Sequence, residues 1–164
     1  MNYKFFINQI QNMDKAKYPI DFGQSSVTLS QQEQENLKVI QKLIAAFSVG
    51  DYQETLTCVT DDVEYISSMP KEIPIAGIFQ GHEGVIKYQE NLKNMYEMEW
   101  EEHKQIISQG NTVIIIGRER TRVMPSGKML EVDFVLLFSF RNGKIFKFQG
   151  FTDTAALLKA YLGE

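Results

Sequence analysis

Val132-Asp133-Phe134-Val135-Leu136-Leu137-Phe138-Ser139-Phe140 reads as a β-strand that is apolar on both of its faces. Side chains alternate across a strand, so Val132, Phe134, Leu136 and Phe138 share one face, and Asp133, Val135, Leu137 and Ser139 the other. An antiparallel sheet ordinarily turns one face to water, and a strand of this kind needs a covering layer on both. Helices elsewhere in the chain supply one layer. None is left for the other, which points to a second copy of the sheet and a homodimer burying on the order of 800 Å² per partner.

The same period of two extends around this strand, in runs at about 99–108, 112–124 and 144–152. Gly110-Asn111, Pro125-Ser126-Gly127 and Asn142-Gly143 break the runs as hairpin signals. Upstream the period is helical. Ser30 with Glu33 forms a capping box, Leu37, Ile40, Leu43, Ile44 and Phe47 line one face, and Gly50 ends the helix. Asp51 with Glu54 starts a shorter helix, and Val63 to Ser67 read as a strand. Residues 68–80 read as an apolar loop folded over a cavity, and 81–95 as a third helix. Thr152 or Asp153 caps a last one with Leu157, Leu158, Tyr161 and Leu162. The order is two helices, strand, helix, four strands, helix. It predicts an α+β domain over residues 31–164, a curved antiparallel sheet closed by helices over one small pocket per subunit. Residues 1–30 read as an irregular N-terminal arm.

A chain of 164 residues, 43% hydrophobic and 12% aromatic, can bury a core of its own. Its net charge of −4, with no run of Lys and Arg, speaks against a nucleic-acid partner. Its apolar runs fall far short of the roughly 20 residues of a membrane helix, and Lys4, Asn8 and Gln9 interrupt the one near the start. The single cysteine, Cys58, reads as a buried inert thiol and fits a reducing cytoplasm. The two histidines, His82 and His103, have no ligand spacing, so no metal is expected. His82 lies in a Gly-flanked turn and reads as solvated. His103 alternates with Trp100 and Glu102, and its placement is open between surface and cavity.

Several segments are similar to the nuclear transport factor 2-like superfamily, and within it to SnoaL-like, ketosteroid-isomerase-related proteins: Ala45 to Asp51, Asp61-Asp62-Val63-Glu64-Tyr65, Ile75 to Gly81, Gly117-Arg118-Glu119-Arg120, and Asn142 to Ile145 with Phe151 to Thr154. The resemblance implies a cone-shaped, cystatin-like sheet and a cofactor-free site for a small apolar or cyclic metabolite. The base of ketosteroid isomerases falls on Ser67 and their oxyanion-hole pair near Leu43 and Leu136, none of which can do that chemistry. The acidic pair of limonene-epoxide hydrolases falls on Glu119 and Asp153, and their bridging arginine on Gly117. SnoaL-like cyclases also place an acid near the position of Asp153.

Two carboxyls in an apolar pocket do not both ionise cheaply, so one becomes an acid and the other a base. The resemblance thus makes Asp153 and Glu119 the candidate catalytic residues, as proton-transfer groups of an isomerase, cyclase or hydrolase. Against this, Asp153 before Thr154 is equally a helix N-cap, and Glu119 within Arg118-Glu119-Arg120-Thr121-Arg122 is equally part of a solvated charge ladder. Alternation puts Gly117, Glu119 and Thr121 on one face, with the arginines turned to water or to acids across the dimer. Tyr65, Ser67, Trp100, Phe134, Leu136 and Phe151 are the candidate pocket residues. A non-catalytic carrier and a dimeric interaction module using the arm are the competing readings.

Overall fold

The hydroxyl of Ser30 accepts a hydrogen bond from the Glu33 amide at 3.3 Å, and the Glu33 carboxylate accepts one from the Ser30 amide at 2.7 Å, so both halves of the capping box form. In the computed structural model, which describes residues 28–164, this box opens helix α1 (Gln31–Val49), and Gly50 in a left-handed conformation closes it. The expected arm lies, up to residue 27, outside the described residues. Ile40, Leu43 and Ala46 bury the inner side of α1. The first turn also anchors a hairpin. Glu33 accepts from the Gly110 amide at 2.8 Å, Asn36 donates to the Gly110 carbonyl at 3.0 Å, and Gln32 bonds Asn111. The Gly110 bond, with those from Ser30, holds the Glu33 carboxyl below its ordinary value. Ser30→Ala is expected to cost about 1 kcal/mol in urea unfolding, the usual worth of a cap.

Helix α2 (Tyr52–Thr57) is capped by Asp51 and leads into β1 (Val59–Ser67), which starts four residues earlier than the apolar pattern suggests. Four residues of the segment expected to be loop form β2 (Gly77–Gln80), paired antiparallel to β1 through Tyr65–Phe79 and Ser67–Gly77. Helix α3 (Gly81–Met95), strands β3 (Tyr96–Gln109), β4 (Thr112–Val123), β5 (Lys128–Arg141) and β6 (Lys144–Thr152), and helix α4 (Thr154–Leu162) complete the order. The sheet is curved, open and six-stranded, ordered β2-β1-β6-β5-β4-β3. All pairs are antiparallel except β1 with β6, which run parallel. That pairing needs the long excursion through α3 and four strands before the chain returns beside β1.

One face of the sheet, the inner one, carries the core. Val113, Ile115 and Val123 of β4, Val132, Phe134 and Phe138 of β5, and Tyr65 and Phe148 of the neighbouring pair are buried there with Ile40, Val85 and Leu157 of the helices. Cys58 is buried, and burial pushes its thiol up, as expected of an unreactive cysteine. The outer face divides in two. At one end Arg118, Arg120 and Arg122 pair with Glu131, Glu99 and Glu97 of the flanking strands, so the arginines meet acids of their own chain. At the other end Ile107, Ile114, Leu137, Ile116, Val135 and Phe151 form consecutive cross-strand neighbours.

Candidate functional site

Strand β4 alternates as its sequence indicates, with Gly117, Glu119 and Thr121 on the inner face between buried Ile115 and Val123. A carboxyl in that position loses most of its hydration. Glu119 is pushed up to about 7, first by burial and then by the negative charge of Glu101, its direct partner across the β3–β4 ladder. Tyr88 of α3 and Tyr96 at the start of β3 sit close enough for the charge of Glu119 to add to the burial that raises both phenols. The result is a carboxyl poised between its two states near neutrality, the condition for exchanging a proton with a bound molecule. Beside it, the fully buried Thr121 hydroxyl has no hydrogen-bond partner among the described residues.

Two bulges in β3 decide what faces Glu119. The register slips between Met98 and Trp100 and again between His103 and Gln105. An inserted residue turns the following side chains to the other face. Glu101 and His103 therefore stand opposite Glu119 and Gly117 on the inner side, while Trp100 pairs with Arg120 on the outer side. The His103 Nε2 lies 2.6 Å from the Glu101 Oε1, with the His103 side chain 8% exposed and that of Glu101 32%. The Phe134 ring meets the imidazole edge-on at 6.1 Å. It occupies space that only a glycine at 117 leaves, since a Cβ there would stand 2.3 Å from its Cζ. Plain alternation could not find this pair, because Trp100-Glu101-Glu102-His103 carries no mark of the extra residues.

Of the residues expected from the sequence, Glu119, Phe134, Tyr65, Ser67 and Leu136 come together on the inner face. Tyr65 is held by Tyr88 at 5.5 Å and Phe148 at 4.7 Å between ring centroids. These rings, with Phe79 and Phe138, fill the deep part of the concavity. Trp100 and Phe151 lie on the outer face, 38% and 44% exposed. Asp153 is exposed at the end of β6, where its Oδ1 accepts from the Ala156 amide at 2.9 Å as the N-cap of α4. The structure does not join it to Glu119. Open clefts of about 370 Å³, lined by Glu97, Met98, Glu99, Arg122 and Met129, and about 150 Å³, lined by Pro74, Asn91, Met95 and Tyr161 among others, lie elsewhere and do not border Glu119.

Comparison with solved structures returns the same architecture. An NTF2-like protein from Burkholderia xenovorans LB400 is 29% identical, with a TM-score of 0.73 over 78% of this chain and 96% of its own. A protein named as a SnoaL-like polyketide cyclase from Jannaschia sp. CCS1 is 19% identical, with a TM-score of 0.73 over 84% of this chain and 99% of its own. TerC, co-crystallized with polyporic acid, is 23% identical, with a TM-score of 0.68 over 78% of this chain and 98% of its own. No curated protein matches the sequence significantly. The family model of the SnoaL-like domain matches residues 40–148, from the middle of α1 into β6. With two thirds of its length matched and its sheet and helices in this order, the chain belongs to the SnoaL-like family of the nuclear transport factor 2-like superfamily.

Proposed function

We propose that the protein binds a small apolar or cyclic metabolite at the inner face of its sheet and moves a proton there through Glu119, as an isomerase, cyclase or hydrolase working without a cofactor. The observation that carries this reading is the Glu119 carboxyl, half-buried near Tyr88 and Tyr96, opposite a second carboxyl and pushed up to about 7. The unpartnered Thr121 hydroxyl supports it, because a buried polar group on the same face calls for a guest or a water to satisfy it. Asp153, the other candidate acid, spends its Oδ1 on the N-cap of α4. The similar fold of TerC, co-crystallized with polyporic acid, is in keeping with a flat cyclic guest. Native mass spectrometry followed by a denaturing run on the same sample tests the reading. One retained apolar compound per subunit, chemically altered on incubation with the protein, is the expected result.

A carrier without turnover is the second reading. It is favoured by Leu43, Ser67 and Leu136, which stand where related enzymes keep their acid and base groups. In that case the retained compound returns unaltered, and Glu119→Gln changes neither its amount nor its identity.

The assembly we propose is a homodimer through the outer face. Ile107, Ile114, Ile116, Val135 and Leu137 are half-buried in the single chain and Phe151 is exposed, a continuous apolar end beside the charged ladder. Leu137→Glu would place a charge within this patch. Sedimentation is expected to show the parent chain as a dimer and this variant as a folded monomer; a variant that stays dimeric would count against the interface. Among the described residues no helix is long and apolar enough to cross a membrane. The single buried thiol suits a cytoplasmic protein.

A further inference from the structure

Helices meet the edge strand β3 at both of its ends. At the hairpin end the Ser108 Oγ donates to the Glu33 carbonyl of α1 at 3.3 Å, and at the other end α3 passes directly into the strand. Glu101 and His103 lie between these two points. Leu37, Gln41 and Ile44 follow Glu33 along one flank of α1 at helical spacing, so this flank looks toward β3. All three are half-buried, as is Ile106, which stands on the inner face of β3 opposite Ile115. The flank and the strand thus border one apolar strip of the inner face. The His103 side chain within it is 8% exposed, low for an edge strand, while that of Glu101 is 32% exposed. Burial of that order at the middle of an edge strand, between the two helix contacts, calls for a further cover.

The residues that precede α1 are placed to supply it. The chain enters α1 at Ser30, beside Gly110 of the β3–β4 hairpin and so at one end of the strip. Upstream, Tyr3, Phe6, Ile7 and Ile10 recur at the spacing of one helical face, and residues 1–13 carry Lys4 and no acid. The stretch from Ile10 to Thr28 spans up to roughly 60 Å when extended, about twice the length of α1 at its helical rise. The stripe therefore reaches any point along the strip, and a short loop favours a nearby surface over a distant one. The solved relatives are matched over 96% or more of their own length yet cover no more than 84% of this chain, so part of the chain is additional to the shared fold. We propose that residues 3–10 form a strap over the inner face of the same chain, laying Tyr3, Phe6, Ile7 and Ile10 against Leu37, Ile44 and Ile106, with Lys4 turned toward Glu101. Such a strap opens to admit a ligand and, once closed, excludes water from His103 and Glu119. The proposal rests on the inner face being the site, as read above, and not on the reaction there.

The test is modification of the full chain by diethyl pyrocarbonate, followed residue by residue by peptide mass spectrometry. The chain has two histidines, His103 beneath the strap and His82, whose side chain is 37% exposed and serves as the internal standard. In the double variant Phe6→Asp with Ile10→Asp, His103 is expected to react roughly tenfold faster than in the parent, because the local opening that admits the reagent no longer has to be paid. His82 is expected to react as before, and circular dichroism verifies that the variant is folded. The contact of His103 with Glu101 is common to both chains, so the change reports the cover alone. Equal His103 rates in the two chains would overturn the strap, and a change in sedimentation alongside them would put the segment on the outer face instead. Protection of His103 that fades as the parent is diluted would assign the cover to another copy and overturn the same-chain placement. The readout needs neither substrate nor turnover, so the strap and the proton transfer at Glu119 stand or fall separately.

Discussion

At pH 8 the Glu119→Gln variant is expected to resist denaturant better than the parent chain, by up to about 3 kcal/mol, and at pH 4 the two are expected to unfold together. The Glu119 carboxyl is raised from an ordinary 4.5 to about 7 in the folded protein, burial being the larger cause and the charge of Glu101 the smaller. Below 4.5 the carboxyl is protonated whether the chain is folded or not, and it adds no pH dependence. Between 4.5 and 7 the unfolded chain releases the proton while the folded one keeps it. The unfolded state therefore binds fewer protons, and stability falls as pH rises through this window. Above 7 the folded protein carries a charge in a poorly hydrated place and bears the full penalty. Glutamine has nearly the same shape and no charge to desolvate, so the difference between the two chains reports this group together with its coupling to Glu101. Urea midpoints at pH 4, 6 and 8 check it. A constant difference across that range would show that Glu119 does not titrate where burial places it.

The same substitution separates stability from function. If Glu119 exchanges a proton with a ligand, the variant gains stability and loses turnover, the usual consequence of relieving a strained functional group. A gain in stability with turnover retained would leave the carboxyl as a buried acid without a task.

The outline of the fold and part of the candidate site are legible in the amino-acid sequence alone. Val132 to Phe140 reads as a two-sided strand, and its inner residues Val132, Phe134 and Phe138 are buried while Val135 and Leu137 stand on the outer face. Ser30 with Glu33 and the turns at Gly110, Gly127 and Gly143 set the element boundaries, because caps and left-handed turns are local chemistry that short stretches encode. The face of Glu119 follows from strict alternation along β4. Alternation fails where its period is broken. In β3 the two bulges arise from pairing with β4, a long-range event, so Trp100, expected inside, stands outside, and nothing local singles out Glu101. Phe151 differs for another reason: its run is legible as a strand, but which of its faces is inner depends on the register with Val135. Strand β2 is hidden because four residues, one of them glycine, are too few to show a period.

Gly117→Ala is expected to destabilise the protein by about 3 kcal/mol, lowering its melting temperature by roughly 10 °C, although it adds a single methyl group. A Cβ at this position would stand 2.3 Å from the Cζ of Phe134 and 2.5 Å from the carbonyl oxygen of Glu102. The first clash is with a buried ring that also braces His103, and the second is with backbone held in the β3–β4 ladder. Phe134→Leu in the same chain removes the ring clash and leaves the carbonyl, so the double variant is expected to recover part of the loss and not all of it. Differential scanning calorimetry of the two single variants and the double one measures the coupling. Full additivity would mean that Phe134 does not occupy the space above Gly117. The same glycine shapes the site. Related epoxide hydrolases resemble this chain in their acidic positions but bridge the acids with an arginine where Gly117 stands, and any side chain there would collide with Phe134 and the β3 backbone. The nitrogen group beside Glu119 comes instead from the neighbouring strand, as His103 opposite Gly117, with its Nε2 2.6 Å from the Glu101 Oε1. The variant is therefore expected to lose the proposed proton transfer at temperatures where it is still folded, because a displaced Phe134 no longer holds the imidazole against that carboxylate.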